Sequence, residues 1–232
     1  MLGLLIQIII SYFIIRWVQK EDLSVLGLMP LKTRISKLLL YAFIAGLCSA
    51  ITFWLRMLYA KESWVFNSSL NWQNVFNAVW YNLKSVWYEE LIFRGVLLYV
   101  LIKKLGATKA ILISACAFGI YHWFTYEVLN DPIKMLWIFV ITSSAGYVYA
   151  LGYYKTNSLY TPVGMHFGWN IVQSFIFSNG NIGSGLFIQR LPAPLIQVSY
   201  LTYYSITFLH LLLFILIFAL IFHKKNENSV EN

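Results

Sequence analysis

The sequence predicts an all-α fold, a polytopic bundle of about seven to eight transmembrane helices. Three observations predict it. Hydrophobic residues make up 59% of the 232-residue chain and charged residues only 11%, against roughly 25% charged in soluble domains. Apolar runs long enough to cross about 30 Å of hydrocarbon recur along the whole chain. Lys and Arg also alternate between successive inter-helix segments, as positive-inside topology requires.

The spans are expected near 2–18, 36–59, 74–102, 110–127, 133–153, 158–178 and 200–222. The first, MLGLLIQIIISYFII, lacks a basic start and a small-residue cleavage site, so it reads as a retained helix rather than a signal peptide. The third has a polar first half, WQNVFNAVWYNLKSVW, and can be an amphipathic helix followed by a true span, giving eight. Pro162 near the start of the sixth is tolerated in a first helical turn. Residues 1–222 form one integral membrane domain on this reading, and 223–232 a short polar tail. No internal repeat, low-complexity tract or soluble domain interrupts the pattern.

One set of loops and ends carries Arg16, Lys20, Lys32, Arg34, Lys37, Lys103, Lys104, Lys109, Lys155, Lys224 and Lys225; the other carries Lys61, Lys134 and Arg190. The richer side is expected to be cytoplasmic, which puts the N-terminus outside and the C-terminus inside. The net charge of +8 is therefore explained by orientation, and nucleic acid is not an expected partner. Membrane lipids are. The 18% aromatic content suits interfacial belts. Cys48 and Cys116 fall inside apolar spans and read as buried thiols, not a disulfide. Compactness and the lack of a targeting extension point to a bacterial plasma membrane.

Within the third run, YEELIFRG places Glu89, Glu90 and Arg94 at membrane depth. Ionisable groups there normally face a cavity, a partner or a substrate. Counting from the basic side at 1.5 Å per residue, Glu89 lies roughly 21 Å in, His122 roughly 20 Å, and His166 and Asn170 roughly 16 and 22 Å. Three spans thus bring polar groups to one depth, which predicts a polar cavity between spans three, four and six. Glu90 and Arg94 are four apart, the spacing of a helical ion pair. Phe118 with His122, and His166 with Asn170, share that spacing. Gly95, Gly119, Gly164 and Gly168 flank these positions and would let helices approach closely.

Each residue also has a plainer reading. Glu89 and Glu90 can be a solvated helix-end pair, His122 a satisfied core histidine, and Asn170 an interhelical hydrogen bond. The shared depth argues against these for the set as a whole. His210, without a motif, reads as packing or a local hydrogen bond, and His223 as interfacial. Lys84 has no assigned role. A carboxylate, two histidines and a carboxamide can activate water and stabilise an oxyanion. There is no HExxH and no G-x-S-x-G, and the only aspartates, Asp22 and Asp131, fall in loops.

In order, EExxxR (Glu89, Glu90, Arg94), FxxxH (Phe118, His122) and HxxxN (His166, Asn170), each on its own span, resemble the CAAX protease and bacteriocin-processing family of intramembrane endopeptidases (prenyl-protein CAAX endopeptidase-like, Abi family). The resemblance covers about residues 80 to 178. It implies that Glu89 is the general base, that His122 orients the attacking water, and that His166 and Asn170 stabilise the oxyanion. Glu90 held by Arg94 would be structural, with Phe118 in support. The implied substrate is a peptide or lipidated protein, cut near a lipidated or hydrophobic C-terminus or at a leader. A metal-free reaction is favoured because no ligand pair has a recognised zinc spacing. Zinc is the other reading, with Glu89, His122 and His166 as ligands and an open position for water. Two other functions use the same features: a non-catalytic scaffold in bacteriocin self-immunity or as a partner protein, and a small proton-coupled transporter. Retention of costly buried polar groups disfavours the first, and the lack of repeats and broken-helix pairs disfavours the second.

Overall fold

The computed structural model describes residues 2–28, 31–178, 185–190 and 198–227, the side chains of 31 and 224–227 excepted. Its elements are α1 (Leu2–Gln19), α2 (Leu31–Tyr59), β1 (Trp64–Phe66), α3 (Trp72–Glu90), α4 (Leu97–Leu105), α5 (Ala107–Thr125), α6 (Pro132–Thr156), α7 (Tyr160–Ile171), β2 (Phe187–Gln189) and α8 (Tyr200–Glu227). A 3-10 turn covers Leu23–Leu26, and π-helical segments cover Leu91–Val96 and Val172–Ile176. Each expected span is largely helical, although 126–127, 158–159 and 177–178 at the span ends lie outside helix. Four helices, Leu2–Gln19, Lys32–Tyr59, Pro132–Thr156 and Tyr200–His223, are long and apolar enough to cross a membrane by length and composition. The stretches bearing the polar motifs fall short of that measure, because they carry the Glu, Arg, His and Asn residues and are broken by the π segments. Helix α8 continues past the expected end at 222 to Glu227; residues 228–232 of the expected tail lie outside the described residues.

The chain divides into two compact units, Met1–Leu38 with Trp87–Val163 and Ile215–Asn232, and Leu39–Val86 with Gly164–Phe214. The core of the first collects Ile15, Leu26, Leu98, Ala110, Ala150 and Leu159. Asp22 caps the 3-10 turn, its Oδ1 accepting from Ser24 N at 2.7 Å. Asp131 caps α6 through Lys134 N at 3.1 Å, with Pro132 in the first turn. Hydrogen bonds from Ser24 hold the Asp22 carboxyl below the usual carboxylate range, and those from Lys134 do the same for Asp131. A depressed folded pKa adds stability at neutral pH that is lost as pH falls through it. Gly27 takes φ +67°, and a Cβ there would run into the Asn157 carbonyl, so only glycine fits that turn. At Gly119 a Cβ would stand 2.7 Å from Phe139 Cδ2 and 3.1 Å from Ser143 Cβ, so α5 and α6 pack face to face there.

In the second unit, β1 pairs antiparallel with β2 in the register Trp64↔Gln189, Val65↔Ile188, Phe66↔Phe187. This small sheet departs from a purely helical expectation. Its strands, WVF and FIQ, are β-branched and aromatic triplets too short to show a period. Phe53 stacks on Phe177 at 4.5 Å with Trp64 edge-on to both. Gly168 of α7 abuts the Ala42 backbone of α2, as a close-approach glycine should. Gly95 does not behave that way. A Cβ on it would meet nothing nearer than Glu90 O at 3.8 Å, and its role is in a helix break described below. The thiols also differ from expectation: Cys48 is buried, whereas Cys116 is exposed on the outer face of α5. An apolar span gives no phase signal to tell those two faces apart. Lys84 sits over the Tyr81 ring at 5.9 Å, and His223 is exposed.

Candidate active site

Helix α3 ends at Glu90, and the chain widens into the π segment Leu91–Val96, within which Gly95 leaves helical geometry (φ −78°, ψ −120°). The continuous third span expected from sequence is therefore two helices joined by a break. A single glycine in an apolar run carries no signal of this, since isolated glycines are tolerated in helices. Such π turns recur at functional sites, and here the break coincides with the charged residues.

Glu90 and Arg94 are both fully buried, and Arg94 Nη1 donates to Glu90 Oε1 at 3.0 Å. Arg94 Nη2 donates to Gly146 O of α6, also at 3.0 Å. The guanidinium carbon lies 4.1 Å from the centroid of the Phe118 ring, 5.3 Å from that of Tyr149 and 5.7 Å from that of Phe93. Aromatic faces attract a desolvated cation, so Phe118 supports Arg94 as well as standing beside His122. Phe93 is edge-on to Phe118 at 5.2 Å, and its carbonyl accepts from Ser114 Oγ at 2.9 Å.

The neighbouring Glu89 is 8% exposed. Its carboxylate interacts electrostatically with Arg94, Tyr126 and Tyr149. His122, also 8% exposed, places Nδ1 2.8 Å from Phe118 O. A carbonyl can only accept, so Nδ1 carries the proton and Nε2 of the neutral ring is the basic nitrogen. The ring is edge-on to Phe118 at 4.4 Å and tilted over Tyr126 at 5.8 Å. Glu89 and His122 thus share Tyr126 as a neighbour. Five of the named residues, Glu89, Glu90, Arg94, Phe118 and His122, are assembled in the first unit.

His166 and Asn170 belong to the second unit, one turn apart on α7. His166 is buried, and Asn170 is half-buried. The π segment after α7 places Ser174 Oγ 2.8 Å from Asn170 O and 3.0 Å from Asn82 Oδ1. Both are acceptors, so the single hydroxyl proton serves one at a time. Asn82 Nδ2 is engaged with Ala78 O at 2.8 Å. Trp169, between the two motif residues, accepts at its carbonyl from Ser49 Oγ at 3.2 Å and stacks on His210 at 5.1 Å. His210 Nδ1 lies 3.0 Å from Ile206 O. That is the packing and local-bond role read from its sequence context.

Gly146, Tyr149 and Tyr126 were not singled out by the sequence. Gly146 and Tyr149 sit in SAGYVYA, where a tyrosine near a small residue looks like any interfacial aromatic. Their importance comes from tertiary placement. A Cβ on Gly146 would stand 2.9 Å from Arg94 Nη2 and 3.0 Å from Phe118 Cδ1. The guanidinium is held at both ends and cannot swing aside. Gly146→Ala is therefore expected to destabilise the protein by about 1–3 kcal/mol, the usual range for overpacking. Thermal unfolding in detergent would show a lowered midpoint, and an unchanged midpoint would mean that Arg94 relaxes freely.

Residues 71–172 match the family model described as type II CAAX prenyl endopeptidase Rce1-like. This match supports the resemblance to the CAAX protease family over that segment. The matched CAAX endopeptidase segment contains all seven motif residues, from Glu89 to Asn170. No curated protein and no solved structure matches the chain. The segment match and the four apolar helices together point to a membrane protein similar to CAAX-type proteases. Among the described residues, no group of three or more His, Cys, Asp or Glu side chains is arranged to hold a metal ion.

Proposed function

We propose that this protein is an intramembrane endopeptidase that hydrolyses a peptide bond with water activated by Glu89. The observation that carries the reading is the pairing arrangement in the first unit. Arg94 pairs with Glu90 and is bonded to Gly146 O and the Phe118 face, which gives Glu90 the structural role, while the adjacent Glu89 shares Tyr126 as a neighbour with His122 and is assigned the base. In the proposed reaction Glu89 removes a proton from water as it attacks the scissile carbonyl. His122, with Nδ1 tied to Phe118 O, uses Nε2 to orient that water. His166 and Asn170 donate to the oxyanion of the tetrahedral intermediate, and Glu89 returns the proton to the leaving amine. The shared polar cavity belongs to this proposal. So do the substrate class, a lipidated or hydrophobic peptide or a leader peptide, and the orientation with the N-terminus outside and the C-terminus in the cytoplasm of a bacterial cell.

Substrate discovery and mechanism are tested together by comparing peptides that accumulate in cells carrying Glu89→Ala with those in wild-type cells. A peptide that accumulates in the variant and is cut in vitro by the wild-type protein alone supports the reading. Identical peptide profiles overturn it. On that substrate, the purified protein is expected to stay active after exhaustive treatment with 1,10-phenanthroline. Its pH profile should report the coupled titration of the pocket rather than a metal-bound water. Stoichiometric zinc, with activity lost on chelation and restored by zinc alone, would replace the acid–base roles of Glu89 and His122 with ligand roles.

A further inference from the structure

An apolar groove of about 300 Å³ lies in the first unit, away from the candidate active site. Ile10, Ser11 and Ile14 of α1 form one wall, and Ile92, Leu97 and Val100 of the π segment and α4 the other. Glu89, Glu90, Arg94 and His122 do not line it, so it is not a subsite of the reaction centre. Gln7, also in the lining, donates from Nε2 to Tyr88 O at 3.3 Å. From there the groove follows both helices toward the ends where α1 and α4 terminate.

That end is basic. Leu97, Val100 and Lys104 follow at i, i+3 and i+7, so Lys104 continues the groove face of α4. Lys20 stands just beyond the end of α1. Both lysines are exposed, and neither forms an ion pair among the described residues. The acids at this end are engaged: Glu21 accepts from Tyr99 and lies 3.9 Å from Lys103, and Asp22 accepts from Ser24. An apolar slot between membrane helices that ends in uncommitted cations has the make-up of an anionic lipid site. A neutral lipid would leave both lysines without a purpose, and a peptide would need polar backbone partners that the walls lack.

We propose that the α1/α4 groove holds one acyl chain of an anionic phospholipid from the surrounding membrane, with its phosphate at Lys20 and Lys104. The full-length protein would be reconstituted into nanodiscs of equal phosphatidylglycerol and phosphatidylcholine. Retained lipid would then be read by native mass spectrometry. Wild type is expected to keep one phosphatidylglycerol per chain. The double variant Lys20→Gln/Lys104→Gln is expected to retain it roughly thirtyfold more weakly, the effect of losing two near-surface charges. Ile14→Trp should fill the slot and expel the lipid with the charges intact, while Lys134→Gln, in the first turn of α6, should leave retention at the wild-type level. Equal retention of the two lipids by wild type, undiminished retention in the double lysine variant, or a dimer with no bound lipid would each overturn the assignment. The readout is lipid rather than proteolysis, so it stands or falls separately from the proposed reaction.

Discussion

Glu89→Gln is expected to leave the protein folded and to cut turnover by roughly 10²- to 10⁴-fold, the contribution of a positioned general base. The amide keeps the shape of the carboxylate but cannot take a proton from water. Folding should survive, because Arg94 is held by Glu90 and Gly146 O and keeps both bonds. The check pairs steady-state cleavage with the unfolding midpoint in the same detergent. Activity near wild type would remove Glu89 from the mechanism. A collapsed midpoint would mean that Glu89 is structural.

Glu90→Gln is expected to do the reverse, destabilising the protein by about 3–5 kcal/mol, the cost of leaving a buried charge without its partner. Arg94 has no exposed surface through which water could compensate, and its ring neighbours offer only part of the lost attraction. Protein yield and the unfolding midpoint should both fall, with activity per folded molecule less affected than in Glu89→Gln. The double variant Glu90→Gln/Arg94→Met removes both charges and is expected to recover much of the stability, since an apolar replacement of a buried pair is often neutral or better. If Glu90→Gln and Glu89→Gln matched in stability and in activity, no division of labour between the two carboxylates would remain.

Much of the candidate site was legible in order along the chain. Charges are costly at membrane depth, so Glu89, Glu90, Arg94, His122 and His166 stood out against apolar runs before any fold was known. The four-residue spacing of Glu90 and Arg94 foretold an ion pair that forms at 3.0 Å. Asp22 and Asp131 were legible as loop residues, and their capping of the 3-10 turn and of α6 came with the structure. The exposure of Cys116 was not legible, because its neighbours are apolar on every side of the helix.

By itself the sequence determined the helical class, most of the segments that become helices, and the motif residues on which the proposed chemistry rests. These rest on composition, period and local spacing, all of which are properties of short stretches of chain. Only the tertiary structure decided the π break at Leu91–Val96, the Gly146 carbonyl and Phe118 ring that receive Arg94, and the pairing of β1 with β2. It also decided that His122 carries its proton on Nδ1. These features depend on contacts between residues far apart in the chain: Arg94 meets a carbonyl 52 residues away. No local pattern encodes which glycine leaves a carbonyl and an empty Cβ position beside a buried cation.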